Sequence, residues 1–320
     1  MNVDLRSTAK MNPCPLTTAP YNFMYELHKI IFQPEYVFLR QAFLVSALAS
    51  LSFGVIGTFV VARRIGYLAG AISHCAFGGV GIGIFLQQAA VTAGMATLAS
   101  LLDPIAVAVV FSVASALLIG VIQMRAKERE DSIIGAIWAI GMAVGVLFLD
   151  ATPGYHSISS YLFGDILLIS TNGARLVGLL GIVVLVTVIV YFKRLEAVCF
   201  DEEYMRLRGL NTHFYLQLLL VLVAMTVVLM IQLVGIILVI ALLTLPAATA
   251  ARISMRLFPM VCWATILCFL FSWCGLFLSV RFNIAAGPTI ILVAGAGYLV
   301  ALIGQAMISL YISRRSSIDR

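Results

Sequence analysis

The chain has 320 residues, of which 62% are hydrophobic and only 11% charged, with a mean hydropathy of +1.08. Soluble globular chains run at about 45–50% apolar and about 25% charged, so the composition excludes a soluble domain and is that of a polytopic membrane protein. The formal charge of +6 is not a nucleic-acid signal, because the basic residues sit in short segments between apolar runs, as membrane topology requires.

Residues 1–36 are comparatively polar and carry Pro13, Pro15, Pro20 and Pro34. No charged region, apolar stretch and small-residue cleavage site follow one another there, so a removable signal peptide is not expected. Within this extension "YNFMYELHKIIF" (Tyr21–Phe32) has two readings, an amphipathic helix at the membrane surface or a partly ordered tail. The six cysteines contain no CxxC pair; Cys75, Cys262, Cys268 and Cys274 lie in apolar runs, where cysteine behaves as a small hydrophobe, and Cys199 is placed in a loop.

A spanning helix needs about 20 largely apolar residues. Nine runs qualify as spans: 37–62, 66–88, 104–124, 132–149, 173–192, 213–232, 235–252, 258–280 and 288–312. The break between the sixth and seventh rests on "QLVG" (Gln232–Gly235); one long span followed by a re-entrant piece is the alternative. The fold expected is therefore all-α, a transmembrane bundle of eight or nine spans over 37–312 with a short cytoplasmic tail, 313–320.

Charge orients this set. With "ARRIG" (Ala62–Gly66) inside, the inner loops hold Arg63, Arg64, Arg125, Lys127, Arg129, Lys193, Arg194, Arg206, Arg208, Arg252 and Arg256, and the outer loops after the first span hold only Arg175 and Arg281. That asymmetry obeys the positive-inside rule and places the C-terminus inside.

The second span contains "AGAISHCAFGGVGIG", with Gly70, His74 and Gly78 four residues apart. His74 is the one ionisable side chain well inside a predicted hydrocarbon region. Such a residue marks a pathway or proton relay, and neutral imidazole is a common metal ligand; the alternative is an interhelical hydrogen bond that holds helices together. The small residues favour close helix approach on both readings. One histidine does not make a tight metal site, which takes three or four protein ligands, so a metal would meet His74 in passing.

The outer segment 150–172 has Asp150, His156 and Asp165 but no basic residue. Its piece "SYLFGDILLIS" (Ser160–Ser170) is too short to span and is expected to dip into the membrane, where irregular backbone must be covered by protein or line a cavity. The inner segment Lys193–Thr212 contains "DEEYMRLRG", a short helix with both ends marked. Asp201 is the candidate N-cap; Glu202 and Glu203 lie in the positive first turn, Arg206 and Arg208 in the negative last turn; Gly209 suits the left-handed position after the end. Such a helix either lies on the membrane surface or docks a partner.

The seventh span, "GIILVIALLTLPAATAARIS" (Gly235–Ser254), has Pro246 in its middle, which removes one backbone hydrogen bond and kinks the helix. Thr244 and Thr249 are expected to satisfy the freed groups. No GxxxxGK[ST], HExxH or GxSxG occurs, so the chain has no Walker site, zinc-protease pair or nucleophile elbow and is not expected to be an enzyme.

Four of these stretches together resemble the membrane permeases of metal-ion ABC importers, the ABC-3 family. "RRIGYLAGAISHCAFGGVGIGIF" is similar to that family's second-span motif, "SSYLFGDILLIS" to its outer segment, "FDEEYMRLRG" to its cytoplasmic helix and "VGIILVIALLTLPAATAARIS" to its late span; order and spacing agree over roughly residues 37–310. The resemblance implies a permease subunit of the bacterial cytoplasmic (inner) membrane that imports zinc, manganese or iron. It also implies a separate ATP-binding subunit under each copy, an extracytoplasmic metal-binding protein and a second permease, identical or sister. ATP would act through the partner, with no cofactor bound by this chain. Carried over by residue, Ser73 and His74 match the Ser-His of the pathway, with His74 as metal contact. Asp201, Glu202, Tyr204, Arg206 and Gly209 match the ATPase-docking helix, and Pro246 and Arg252 match the late span, where Thr244 also lines the path. Many members have an aspartate four residues before the histidine and a proline in the turn after it; here those positions are Gly70 and Gly78. Without that carboxylate, ligands for a passing ion come from elsewhere, and Asp150, His156 and Asp165 are the outer candidates. The rival readings are a siderophore or cobalamin ABC permease, a proton-coupled transporter relaying through His74, and a membrane-embedded enzyme.

Overall fold

The computed structural model describes residues 37–95, 97, 102–125, 130–153, 162, 164 and 171–318. Over these the chain is helical: α1 (Val37–Ala62), α2 (Gly66–Thr92), α3 (Pro104–Arg125), α4 (Glu130–Asp150), α5 (Thr171–Phe200), α6 (Glu202–Leu207), α7 (Thr212–Val234), α8 (Ile236–Ile253), α9 (Leu257–Phe282) and α10 (Ala286–Ile318). By length and composition α1–α4 and α8–α10 are apolar enough to cross a membrane, and α5 and α7 run beside them as further long helices. In hydrocarbon every backbone donor must be satisfied within its own segment, which is why apolar runs of this length become helices.

The contacts confirm the alternation of direction. Residues of α2 and α4 rise together, from Gly70 beside Trp138 to Phe85 against Phe148, whereas α3 runs the other way, with Pro104 beside Gly83 and Ala108 beside Gly79. Helix α9 descends α1 in reverse, from Trp273 against Phe43 to Thr265 against Gly54. The segments predicted to be cytoplasmic gather at one end: Arg63 meets Glu202, Arg252 Nη1 lies 3.0 Å from Gln305, and Lys193, Glu196 and Phe200 share a cavity with Met255–Pro259.

The glycines of α2 make two packing faces. A methyl group on Gly78 would lie 2.8 Å from the Gly141 carbonyl oxygen, and one on Gly79 2.6 Å from Ala108 Cα; only glycine lets α4 and α3 come this close. The outward faces of α3, α4, α5 and α10 expose Val110, Ile140, Leu147, Ile189, Leu292 and Val300, as lipid or another apolar surface requires.

The break expected at Gln232–Gly235 is present: Gly235 separates α7 from α8 at φ +82°, ψ 157°, a conformation open to glycine alone, and the alternative of one long span with a re-entrant piece falls. Two helices run past the ends of their predicted spans. Helix α5 does not end at 192 but continues to Phe200, so Cys199 is helical and not in a loop. Helix α10 continues to Ile318, into the predicted tail. The extension 1–36, with its Tyr21–Phe32 segment, lies outside the described residues, and of Ser160–Ser170 only Leu162 and Gly164 are described.

Candidate functional site

His74 sits on α2 eight residues after Gly66, about 12 Å along the helix at 1.5 Å per residue. Its half-buried ring faces α4. Nδ1 lies 3.3 Å from Met142 Sδ, and the imidazole stacks on the indole of Trp138 with centroids 4.9 Å apart and planes 27° from parallel. Trp138 and Met142 are four residues apart and so share one face of α4, set against the face of α2 that carries Gly70 and His74. The missing side chain at Gly70 now has a local cause: a methyl group there would lie 2.8 Å from two ring carbons of Trp138. Ser73 is fully buried and donates to the carbonyl of Ala69 at 2.7 Å, so its hydroxyl is turned onto its own helix. Among the described residues no three His, Cys, Asp or Glu side chains converge where they could hold a metal.

At Pro246 the structure departs from expectation. The missing N–H leaves the carbonyl of Leu242 without its helical donor. Thr244 and Thr249 do not fill the gap: they donate to Ile240 and Leu245, each at 2.8 Å. The group that approaches is the buried thiol of Cys268 on α9, with Sγ 4.0 Å from the Leu242 oxygen, a weak donor suited to an apolar interior. Thr244 stands beside the start of α2, its methyl 3.5 Å from where a side chain on Gly66 would begin.

The short helix α6 forms as its sequence predicts. Asp201 Oδ1 accepts from the N–H of Tyr204 at 2.8 Å, an N-cap that satisfies one orphan donor of the first turn. At the other end Gly209 has φ +71°, its N–H donates to Arg206 (3.0 Å) and the N–H of Leu210 to Met205 (3.1 Å), the paired bonds of a Schellman ending. Helix α6 spans Glu202–Leu207, so Arg208 is its C-cap and not in its last turn; its guanidinium lies 4.8 Å from the Tyr204 ring centre. Met205 is fully buried, whereas Leu207 is 83% and Tyr204 46% exposed, so one face is anchored and the other offers apolar surface away from the bundle. Glu202 faces inward, paired with Arg63 and 3.7 Å from Arg206.

Of the predicted outer residues, Asp150 ends α4 and is exposed, while His156 and Asp165 lie outside the described residues. Sequence reasoning missed Trp138, Met142 and Arg63. The first two carry a readable signal, the i, i+4 spacing that mirrors Gly70 and His74; Arg63 reads as a topology charge until its partner is seen.

The comparisons agree with this architecture. An uncharacterized membrane protein of Synechocystis sp. is 36% identical over 269 residues, 84% of this chain and 91% of that protein. A probable metal transport system membrane protein of Chlamydia trachomatis is 34% identical over 256 residues, covering 80% and 85%. Among solved structures, PsaBC from Streptococcus pneumoniae in complex with Fab superposes with a TM-score of 0.73 at 27% identity, over 86% of this chain and 93% of that one. The ABC 3 transport family matches residues 35–305, and the chain belongs to that family.

Proposed function

We propose that this chain is the membrane permease of an ATP-binding-cassette importer that carries a divalent metal ion, zinc, manganese or iron, across the bacterial cytoplasmic membrane. The observation that carries the reading is the pairing of family membership with a capped cytoplasmic helix whose Leu207 and Tyr204 face outward at the end where the inner loops gather. A separate ATPase subunit binds that face of α6, and ATP acts through it. An extracytoplasmic protein delivers the ion, and a second permease, a copy or a sister chain, completes the translocation unit.

Within the bundle, the α2–α4 contact at His74 is the waypoint and Asp150, with His156 and Asp165, the outer entrance. A waypoint has to release its ion, and a lone imidazole beside a thioether binds more weakly than a closed site of four ligands. The Pro246 kink of α8 gives the bundle a place to bend, because a helix short of one ladder bond deforms at low cost.

The test is uptake of radioactive zinc, manganese and iron into vesicles containing the permease, with and without the ATPase subunit. Uptake of one ion should depend on both the ATPase and ATP. Uptake that persists in their absence would sink the proposal in favour of a secondary transporter.

A further inference from the structure

Arg63 opens the tight turn between α1 and α2. That turn has a fixed backbone: Arg64 N–H donates to Val61 (3.0 Å) and Ile65 N–H to Val60 (2.9 Å), with Arg64 at φ +62°. The Arg63 side chain, 16% exposed, leaves this turn for a distant part of the sequence. One guanidinium nitrogen donates to the Val198 carbonyl in the last turn of α5, and the other to the carboxylate of Glu202, the first residue of α6. A planar guanidinium can make both bonds at once, which a lysine ammonium cannot do with the same geometry. The Cys199 thiol makes a second link between the same regions, with Sγ 3.9 Å from the Phe59 carbonyl. Two other ion pairs, Lys193–Glu196 and Arg206–Glu202, stay within single helices.

The consequence is mechanical. Helix α6 is held to the bundle by buried Met205 and, through Glu202, by Arg63. The turn that carries Arg63 continues through Ile65, 4% exposed, directly into α2, the helix that bears His74. A cavity of about 200 Å³ lined by Arg63, Gln123, Glu202, Arg206 and His213 borders the pair. It leaves α6 room to shift without overlapping packed side chains, whereas close-packed interiors transmit strain and do not absorb it.

We propose that Arg63 is a positioning residue that transmits displacement of α6 to α2, so that the ATPase cycle moves the helix carrying the waypoint histidine. Arg63 touches neither the ion nor the ATPase in this role. The inference rests on the reading of α6 as the docking helix.

The experiment uses the full complex of permease, ATPase and binding protein in liposomes, and reads two quantities: ATPase retained on purification through the permease, and ions moved per ATP hydrolysed. R63Q should retain the ATPase while ions per ATP fall roughly tenfold, the size of a typical coupling between sites. E202Q should lower that ratio by the same factor, the double variant by no more than one of them, and R63K by less. A wild-type ratio in R63Q, additive losses in the double variant, or loss of the ATPase from R63Q would each overturn the inference. Should R63Q fail to fold into the membrane, so that no permease is recovered, E202Q decides: Glu202 is 38% exposed, and a wild-type ratio there overturns it equally. The docking reading has its own arm. Leu207→Glu should release the ATPase; if it does not, α6 is not the docking helix and both ideas fall, whereas release in L207E with normal coupling in R63Q removes only the role of Arg63.

Discussion

The indole of Trp138 fills the space beside Gly70, where a single methyl group would already lie 2.8 Å from its ring carbons, and the same indole stacks on His74. In this chain an acidic side chain at position 70 and the tryptophan at 138 would therefore compete for one volume. Gly70→Asp alone should destabilise the protein by about 1–3 kcal/mol through overpacking, seen as a lower unfolding temperature of the purified complex. Gly70→Asp with Trp138→Ala should recover much of that loss and set a carboxylate one turn from His74. A single Gly70→Asp variant as stable as the parent would show that the indole moves aside freely.

His74→Ala tests the waypoint directly. With the ring gone, ATP-driven uptake should slow by about tenfold, equivalent to roughly 1.4 kcal/mol of lost contact, while the permease still purifies with its ATPase. If the variant instead loses its partners or fails to insert, the ring's stacking on Trp138 is structural glue and the waypoint lies elsewhere.

Local rules served the sequence reading where the determining atoms are neighbours in the chain. Asp201 and Gly209 took the cap positions predicted for them, because a cap depends on residues within one turn. The nine long helices among the described residues followed from hydrophobic length, and even the doubtful break fell at Gly235, where the backbone conformation needs glycine. By hydropathy the span ends at 192, and helix α5 runs on beyond it. Lys193, Arg194 and Glu196 look like a loop on that scale, yet with Leu195 and Ala197 they are good helix formers and simply carry the helix on to Phe200. The carbonyl that local pattern assigns to the threonines near Pro246 is approached by Cys268 from another helix, and Arg63 meets a partner 139 positions away. Those relations depend on the rotation and register of packed helices, which no local pattern encodes.

Cys199 provides a pH test at the α1–α5 junction, on the part of α5 that projects beyond the predicted span. Burial is the main cause of a thiol pushed from 9.0 up to about 12; the nearby Arg63 cation pulls it down somewhat and Glu196 pushes it up. The fold thus favours the protonated form. Its stabilising effect is complete below pH 9, where the unfolded thiol is protonated as well, and is lost as pH rises from there towards 12. At pH 8 only about one thiol in ten thousand is thiolate, the reactive species. Maleimide labelling at pH 8 followed by mass spectrometry should leave Cys199 unmodified in the native complex and label it after unfolding. Rapid native labelling would mean that the α1–α5 junction opens.

Arg64 is a non-glycine residue in the left-handed region, at φ +62°, in the position after α1 where glycine is commonest. The β-carbon strain there is about 1–2 kcal/mol, offset in part by the extra freedom glycine gives the unfolded chain, about 0.4–1 kcal/mol. Arg64→Gly should therefore stabilise the complex by up to about 1.6 kcal/mol, and the β-branched Arg64→Val should destabilise it. Thermal unfolding of the purified complex measures both. Orientation in the membrane should be unchanged in each variant, since Arg63 still follows the first span and the positive-inside count of the later loops is untouched. The opposite order of stabilities would mean that the Arg64 side chain makes a contact worth more than the strain of its backbone.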